Sequence, residues 1–507
     1  MKKELYGFIV SILFLPTILM AQDRRDSGRL PVAPNTHSHA GSSPFSPPDE
    51  EDTLFVMDRG TGLDTGCTFR SGGPLRIRLL VKRFVGDVNA DGALRDPGGM
   101  VARGYISPKA HLRLPAYDID VAGAPGYPPE VDRIFFNGHD LGTLSGGNNI
   151  WKLNSFDLPI EWVKFPSRGS AGSPPTPAVN EIQINIDEAS APDQNWCMSV
   201  DWVQVDFKAI APVFLVHGTN ADSDTWDPNF TAFFGSTPVP WSNDINLTRN
   251  GTILGNGTLL ANRLHALALS FGAKKGHIIA HSKGGLDTRA YLNNNYDPDK
   301  LKILSAYTLS SPHRGTILSD IIVAKRASTN PESPNSDIQY LIDNDWTWFT
   351  PQQPAIGDQT TVAMAAFNAR FPSLPGGVRL YNYGADADLN DDGTISGDEA
   401  SGVIPNIPFV AAPAGTVLYR VLGNVASITV VRGTRPGRLW GTNSFTSIDV
   451  AAANPAFHQN DLVVSVPSSR APSGTFLGQL DANHGSMKSQ ALAQTILQRI
   501  VSDFPNR

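Results

Sequence analysis

Cysteine is almost missing from this chain: Cys67 and Cys197 are the only two in 507 residues. One disulfide is the most that such a count allows. Blocks of lysine and arginine are missing as well. With 41 basic and 48 acidic residues the net charge is −7. Nucleic acid and anionic membranes are therefore poor candidates as main partners. After the first twenty residues no apolar run is long enough to cross a bilayer. Between residues 52 and 208 no stretch repeats apolar residues at helical spacing.

The extreme N-terminus reads as an export signal. Lys2 and Lys3 supply the positive end, Phe8 to Met20 the apolar stretch, and Ala21 a cleavage position. An uncleaved anchor is the alternative, but this run is short for a span. Signal peptide 1–21 is followed by residues 22–51, which are rich in Pro, Ser, Gly and charge and read as a flexible linker. In an exported chain, Cys67 and Cys197 are expected to pair. A bridge closing so long a loop stabilises by about 4–5 kcal/mol on the chain-entropy model.

Residues 52–208 hold short strand-like runs separated by Gly, Pro and Asn: Leu75–Leu79, Ala110–Leu114, Asp132–Phe136, Glu181–Ile186 and Val200–Phe207. Several alternate apolar and polar residues, the period of a half-buried strand. The expectation is an all-β sandwich of jelly-roll type. At fold level this resembles ancillary sugar- or surface-binding modules. Asp87, Asn89 and Asp91, with Gly92 next, form the first half of a calcium loop. Gly98 stands where the closing acid belongs, and Asp96 is the nearest substitute.

From Pro212 the pattern changes. Val213–Val216 is a continuous apolar strand followed by His217-Gly218, and such a strand is buried on both faces, as in a parallel sheet. Leu260, Leu264 and Leu267 mark one face of a helix. Ile278–Ala280 is the next strand, and Ser282 follows it between small residues, Ala280 and Gly284, before Leu286, Ala290 and Tyr291 start a helical spacing. That is the strand–turn–helix of a nucleophile elbow, written A-x-S-x-G. Ile303–Leu309 is a further buried strand. Strands alternating with helices make residues 209–507 an α/β domain with a mostly parallel sheet. One acidic stretch, residues 388–399, places Asp388, Asn390, Asp392, Thr394, Ser396 and Glu399 at the ligand positions of a twelve-residue EF-hand loop, with Gly393 at its sixth. The flanks do not look helical, so the loop alone is expected, with calcium as a structural cofactor.

Taken together, Val216-His217-Gly218, Ala280 to Gly285, Ser311 to Thr316, Phe367 to Pro372, Asn460 to Ser465 and Asn483-His484 resemble, in order, the segments of secreted bacterial true lipases with the α/β-hydrolase fold. The resemblance covers roughly residues 212–490 and leaves the N-terminal domain outside. A serine hydroxyl needs a base, and the base needs an orienting carboxylate. In this fold the chain order is serine, acid, histidine. Of His313, His458 and His484, only His484 comes late enough. For the acid, closeness to the strand Val378–Tyr383 suggests Asp386, whereas the resemblance implies Asp461. The oxyanion hole is expected from the N–H of Lys283, the residue after the nucleophile, and, by match to the family, of Thr219.

Residues 317–354 are a lid candidate, with Tyr340-Leu341-Ile342 and Trp346 to Phe349 as apolar surface. The expected activity is carboxylic ester hydrolysis on a lipid or other ester, most like that of a triacylglycerol lipase. Phospholipase and polyester depolymerase are neighbouring readings. A different class is an exported calcium-dependent binding protein with an inert hydrolase domain.

Overall fold

The computed structural model describes residues 43–46, 68–119, 128–170, 172–189, 197–344, 354–403, 414–436, 442–453 and 457–503. The export signal, most of the linker, Cys67 and the lid residues Trp346 to Phe349 lie outside the described residues. Among the described residues no helix is long and apolar enough to cross a membrane.

The first part of the chain forms two antiparallel sheets. Its strands are β1 (Thr68–Phe69), β2 (Leu75–Val81), β3 (Lys109–Tyr117), β4 (Arg133–Phe136), β5 (His139–Thr143), β6 (Trp151–Pro159), β7 (Ala178–Asn185), β8 (Cys197–Val200) and β9 (Gln204–Asp206). One sheet runs β1-β8-β3-β6 with β9 also on β3, the other β2-β7-β4-β5. Alternation decides which face is buried: in β2, Leu75, Ile77, Leu79 and Val81 point inward and Arg76 and Arg78 outward. The inward residues of both sheets belong to one apolar cluster. Two expectations are corrected. The run Val200–Phe207 is two strands, because β8 and β9 meet β3 at different places along it. A helix is present, α1 (Pro97–Ala102), started by Pro97 at its first position and by Asp96, whose carboxylate accepts from the Gly99 amide.

The second part is a six-stranded parallel sheet in the order β11-β10-β12-β13-β15-β18. These are β10 (Val213–Val216), β11 (Trp241–Ser242), β12 (Lys275–His281), β13 (Lys302–Leu309), β15 (Arg379–Asp386) and β18 (Thr475–Asp481). Helices α2 (Pro228–Gly235), α3 (Ile253–Phe271), α4 (Lys283–Asn294), α8 (Thr361–Arg370) and α10 (Gln490–Asp503) belong to the same part of the chain, and α5 (Ile317–Arg326), α6 (Ser336–Asp343), α7 (Pro354–Asp358) and α9 (Ala414–Asn424) lie in its insertions. A small sheet, β14 (Pro331–Glu332), β17 (Thr442–Ala452) and β16 (Val425–Pro436), joins the insertions. Leu260, Leu264 and Leu267 of α3 are buried as their spacing predicts. Thr252 caps the helix through Gly255, and Gly272, in the left-handed region, ends it.

The two parts share one core. Arg83, fully buried, donates to the carbonyls of Ala209 and Ile210, and the Phe84 amide donates to Phe271 at the end of α3. These contacts sit where β12 begins. The loops that matter for chemistry leave the opposite, C-terminal ends of the parallel strands, where open α/β sheets place their ligands.

Candidate active site

β12 ends at His281, and the chain turns at once into α4. The turn costs Ser282 an unusual backbone, φ 55° and ψ −133°. A non-glycine residue held there stores roughly 1–3 kcal/mol of strain. The packing around it shows why neighbours must be small. A Cβ on Gly284 would lie 2.5 Å from the His217 carbonyl oxygen, and one on Gly218 2.7 Å from the Ser282 Cβ. The β10 and β12 loops therefore touch at the serine. Ser282 is 7 % exposed, and its neighbour Lys283 opens α4. As the first helical residue, Lys283 has an N–H with no intrahelical acceptor. Its side chain is fixed away from the serine by Asp287, at 2.6 and 2.9 Å, and Asn256 donates to the same carboxylate. Burial pushes the Asp287 carboxyl up to about 6 against the opposing pull of Lys283.

Three residues beyond β18, His484 is held on three sides. Its Nδ1 is 2.7 Å from Asp461 Oδ2, its backbone N–H donates to the Asp461 carbonyl, and its own carbonyl is 2.8 Å from His281 Nε2. Asp461 is fully buried. Its other oxygen accepts from the Val463 and Val464 amides at 2.9 and 2.7 Å. That turn bends back through Leu462 at φ 73°, so the Asn-Asp-Leu-Val sequence itself aims the carboxylate. Asp386 is engaged elsewhere: it accepts from the Tyr419 hydroxyl at 2.8 Å, and burial raises its pKa. His313 is buried too, with Nε2 3.0 Å from Thr308 Oγ1 and its carbonyl held by Asn368, while His458 does not line the site.

Ser282 and His484 open into one cavity. Thr219 lines it, held by Gln359, which donates to its hydroxyl at 3.0 Å. One wall is apolar, with Leu318 and Ile322 of α5, Ile356, Val403 and Val463. The lid candidate, residues 317–354, contributes Leu318 and Ile322 of α5 to this wall, and its buried face packs on the insertion core. Sequence reasoning missed His281, Trp226, Gln359 and Lys488 in the lining. His281 fills a variable position of the elbow, Trp226, Gln359 and Lys488 belong to no motif, and the four come together only through the fold.

The acidic loop follows β15 directly, and among the described residues no helix flanks it, as its sequence suggests. Asp388 accepts from the Asp392 and Gly393 amides, Asp392 from Thr394, and Asn390 from Asp392. Glu399 folds back over the loop's start, accepting from the Leu389 and Ser396 amides at 2.9 and 2.7 Å. Every donor offered, Asp388, Asn390, Asp392, Thr394, Ser396 and Glu399, is a hard oxygen, a set that fits calcium rather than zinc. Among the described residues no three acidic, histidine or cysteine side chains gather as a metal-holding group. In the weaker loop, Asp87, Asn89 and Asp91 are exposed on a turn where Asp91 accepts from Ala93, and Asp96 is committed to Arg103 and to capping α1. Strand β1 begins one residue after Cys67 and pairs with β8, placing Phe69 opposite Cys197.

A parallel sheet flanked by helices, with a serine on a strained strand-to-helix turn, is the arrangement of α/β-hydrolases. Among solved structures the chain is similar to the mature form of Bacillus licheniformis lipase BlEst2, with 17 % identity over 58 % of this chain and 92 % of that one and a TM-score of 0.38. Lipase 1 from Pelosinus fermentans matches at 15 % over 57 % and 98 % with a TM-score of 0.35. Staphylococcus hyicus lipase matches at 13 % over 58 % and 97 % with a TM-score of 0.34. No family model and no curated protein matches.

Proposed function

We propose that this chain is a carboxylic ester hydrolase, most like a triacylglycerol lipase, acting through Ser282, His484 and Asp461. The observation that carries the reading is the 2.7 Å pair of His484 Nδ1 with a fully buried carboxylate, in one cavity with a serine on a strained turn. Asp461 keeps a proton on His484 Nδ1, which leaves Nε2 as the acceptor for the serine proton. Ser282 Oγ attacks the acyl carbon as His484 takes that proton. The carbonyl π electrons move to oxygen, where the N–H groups of Lys283 and Thr219 receive the charge. On collapse the C–O bond breaks and His484 returns the proton to the leaving alcohol. Water then repeats the sequence on the acyl-enzyme and frees the acid. The apolar wall suits an acyl chain. Calcium, bound by the loop at 388–399, is structural in this reading and enters no step. The chain is exported, Cys67 pairs with Cys197, and the two-sheet module is a jelly-roll-like ancillary domain for a surface or carbohydrate ligand.

The test is hydrolysis of emulsified triglyceride, phospholipid, polyester and a soluble aryl ester by wild type and Ser282→Ala. Wild type should cleave at least one of them, and the variant essentially none. An inert wild type would leave the binding-protein reading.

A further inference from the structure

Four residues after His484, Lys488 lines the same cavity. It is 6 % exposed, and the hydrogen bond formed by its ammonium goes to the Thr225 carbonyl at 2.7 Å. An ammonium has three N–H donors, so two remain for whatever enters. Among the described residues no aspartate or glutamate lines the cavity. The anion whose field reaches Lys488 is Asp227, and its carboxylate already accepts from the Asn229 and Phe230 amides as the cap of α2. Burial pushes the Lys488 pKa down to about 8, so most of it stays charged at neutral pH. Keeping a desolvated ammonium against one carbonyl is costly, and an apolar side chain of equal length would fill the same space without that cost. Among the described residues no other lysine and no arginine lines the cavity, and the acyl-sized apolar wall is built by different residues, Leu318, Ile322, Ile356, Val403 and Val463.

We propose that the cavity selects esters whose alcohol moiety carries an anionic group, carboxylate or phosphate, with Lys488 as its counter-ion and the acyl chain on the apolar wall. This rests on the ester-hydrolase reading and adds a substrate class to it. A charge-assisted pair in a water-poor site is stronger than a neutral hydrogen bond, so the preference should be measurable.

The experiment uses two pairs with a common butyryl group: propyl butyrate against 3-butyryloxypropanoate, and monobutyrin against its 3-phosphate. Released butyrate gives kcat/KM for the full-length enzyme, Lys488→Met and Lys488→Gln. Glutamine keeps a donor for the Thr225 carbonyl and so guards against a variant that fails to fold. The expected result is about a tenfold preference for the charged member of at least one pair, the size of one ion pair's selectivity, falling to parity or below in the folded variant. The pair that shows it separates carboxylate from phosphate. Wild-type preference for the neutral member of both pairs, or a preference that survives loss of the charge, overturns the assignment while leaving ester hydrolysis intact. No hydrolysis of any of the four by wild type, with aryl esters also untouched, removes the underlying reading and this one with it.

Discussion

At the scale of single residues, two carboxylates competed for one role, and geometry separates them. Asp461 faces His484 Nδ1, while Asp386 accepts from Tyr419. Asp461→Asn should lower kcat by roughly four orders of magnitude, as loss of an orienting carboxylate does by favouring the wrong tautomer. Asp386→Asn should change it far less. The reverse ranking, in steady-state rates on a soluble ester, would move the acid. Ser282 and His484 were legible in the sequence because the elbow is a local pattern and the chain order a topological rule. Asp461 was not legible from residue spacing alone: a long insertion separates it from the sheet, and closeness in sequence to β15 favoured the wrong aspartate for the pair. Lys488 carries no signal a linear reading detects, since its meaning comes from a cavity assembled from residues 217 to 488.

Among elements, the acidic loop and the His484 loop are joined by one side chain. Asn483, buried, donates to the carbonyls of Glu399 and Ser401 at 2.8 and 2.7 Å and accepts from the amides of Gly485 and Ser486, both at 2.9 Å. Ordering the loop at 388–399 therefore bears directly on the residue beside His484. Asn483→Ala should destabilise by about 1–3 kcal/mol, because it leaves buried backbone groups unpaired, and activity should fall with it. If calcium fills the loop, binding to the folded form alone contributes about 2.7 kcal/mol at a hundredfold excess over Kd. EDTA should then lower Tm and activity together, reversibly, and Glu399→Gln should reproduce the loss and blunt the response to EDTA. A variant that responds as fully as wild type would place the ion elsewhere, with Asp87, Asn89 and Asp91 next. The loop's pattern was readable because its ligand positions are fixed in sequence. The Asn483 clamp was not, since it joins residues more than eighty apart.

For the whole molecule, the shared core means that the two sheets of the first part and the parallel sheet should melt together, in one calorimetric transition. Removing residues 52–208 should leave the remainder insoluble or without a cooperative melt. Stability should also fall on acidification. His277, with its pKa lowered to about 3, and His281 and His313, both lowered well below the usual value, are kept neutral by burial. Below about pH 6.5 the unfolded chain takes up protons there that the native form refuses, so stability is lost as pH falls. Asp132 and Asp287, each raised to about 6, work the other way between about pH 4 and 6, since the native form then holds protons the unfolded chain releases. His217 and His265 are likewise lowered by burial and Asp320 and Asp386 raised by it, so five histidines against four aspartates predict a net decline in Tm from pH 7 to pH 5, which differential scanning calorimetry reads directly. The fold class was legible because strand and helix periods differ. The joining of its two parts was not, since Arg83 reads as a surface residue until its carbonyl partners are known. The central claim, a serine activated by His484, is tested most directly by the intact mass of the full chain after exposure to a fluorophosphonate. The account predicts one adduct, at Ser282, absent in Ser282→Ala and formed far more slowly in His484→Ala. An unmodified wild type, or an adduct on any other serine, would contradict it.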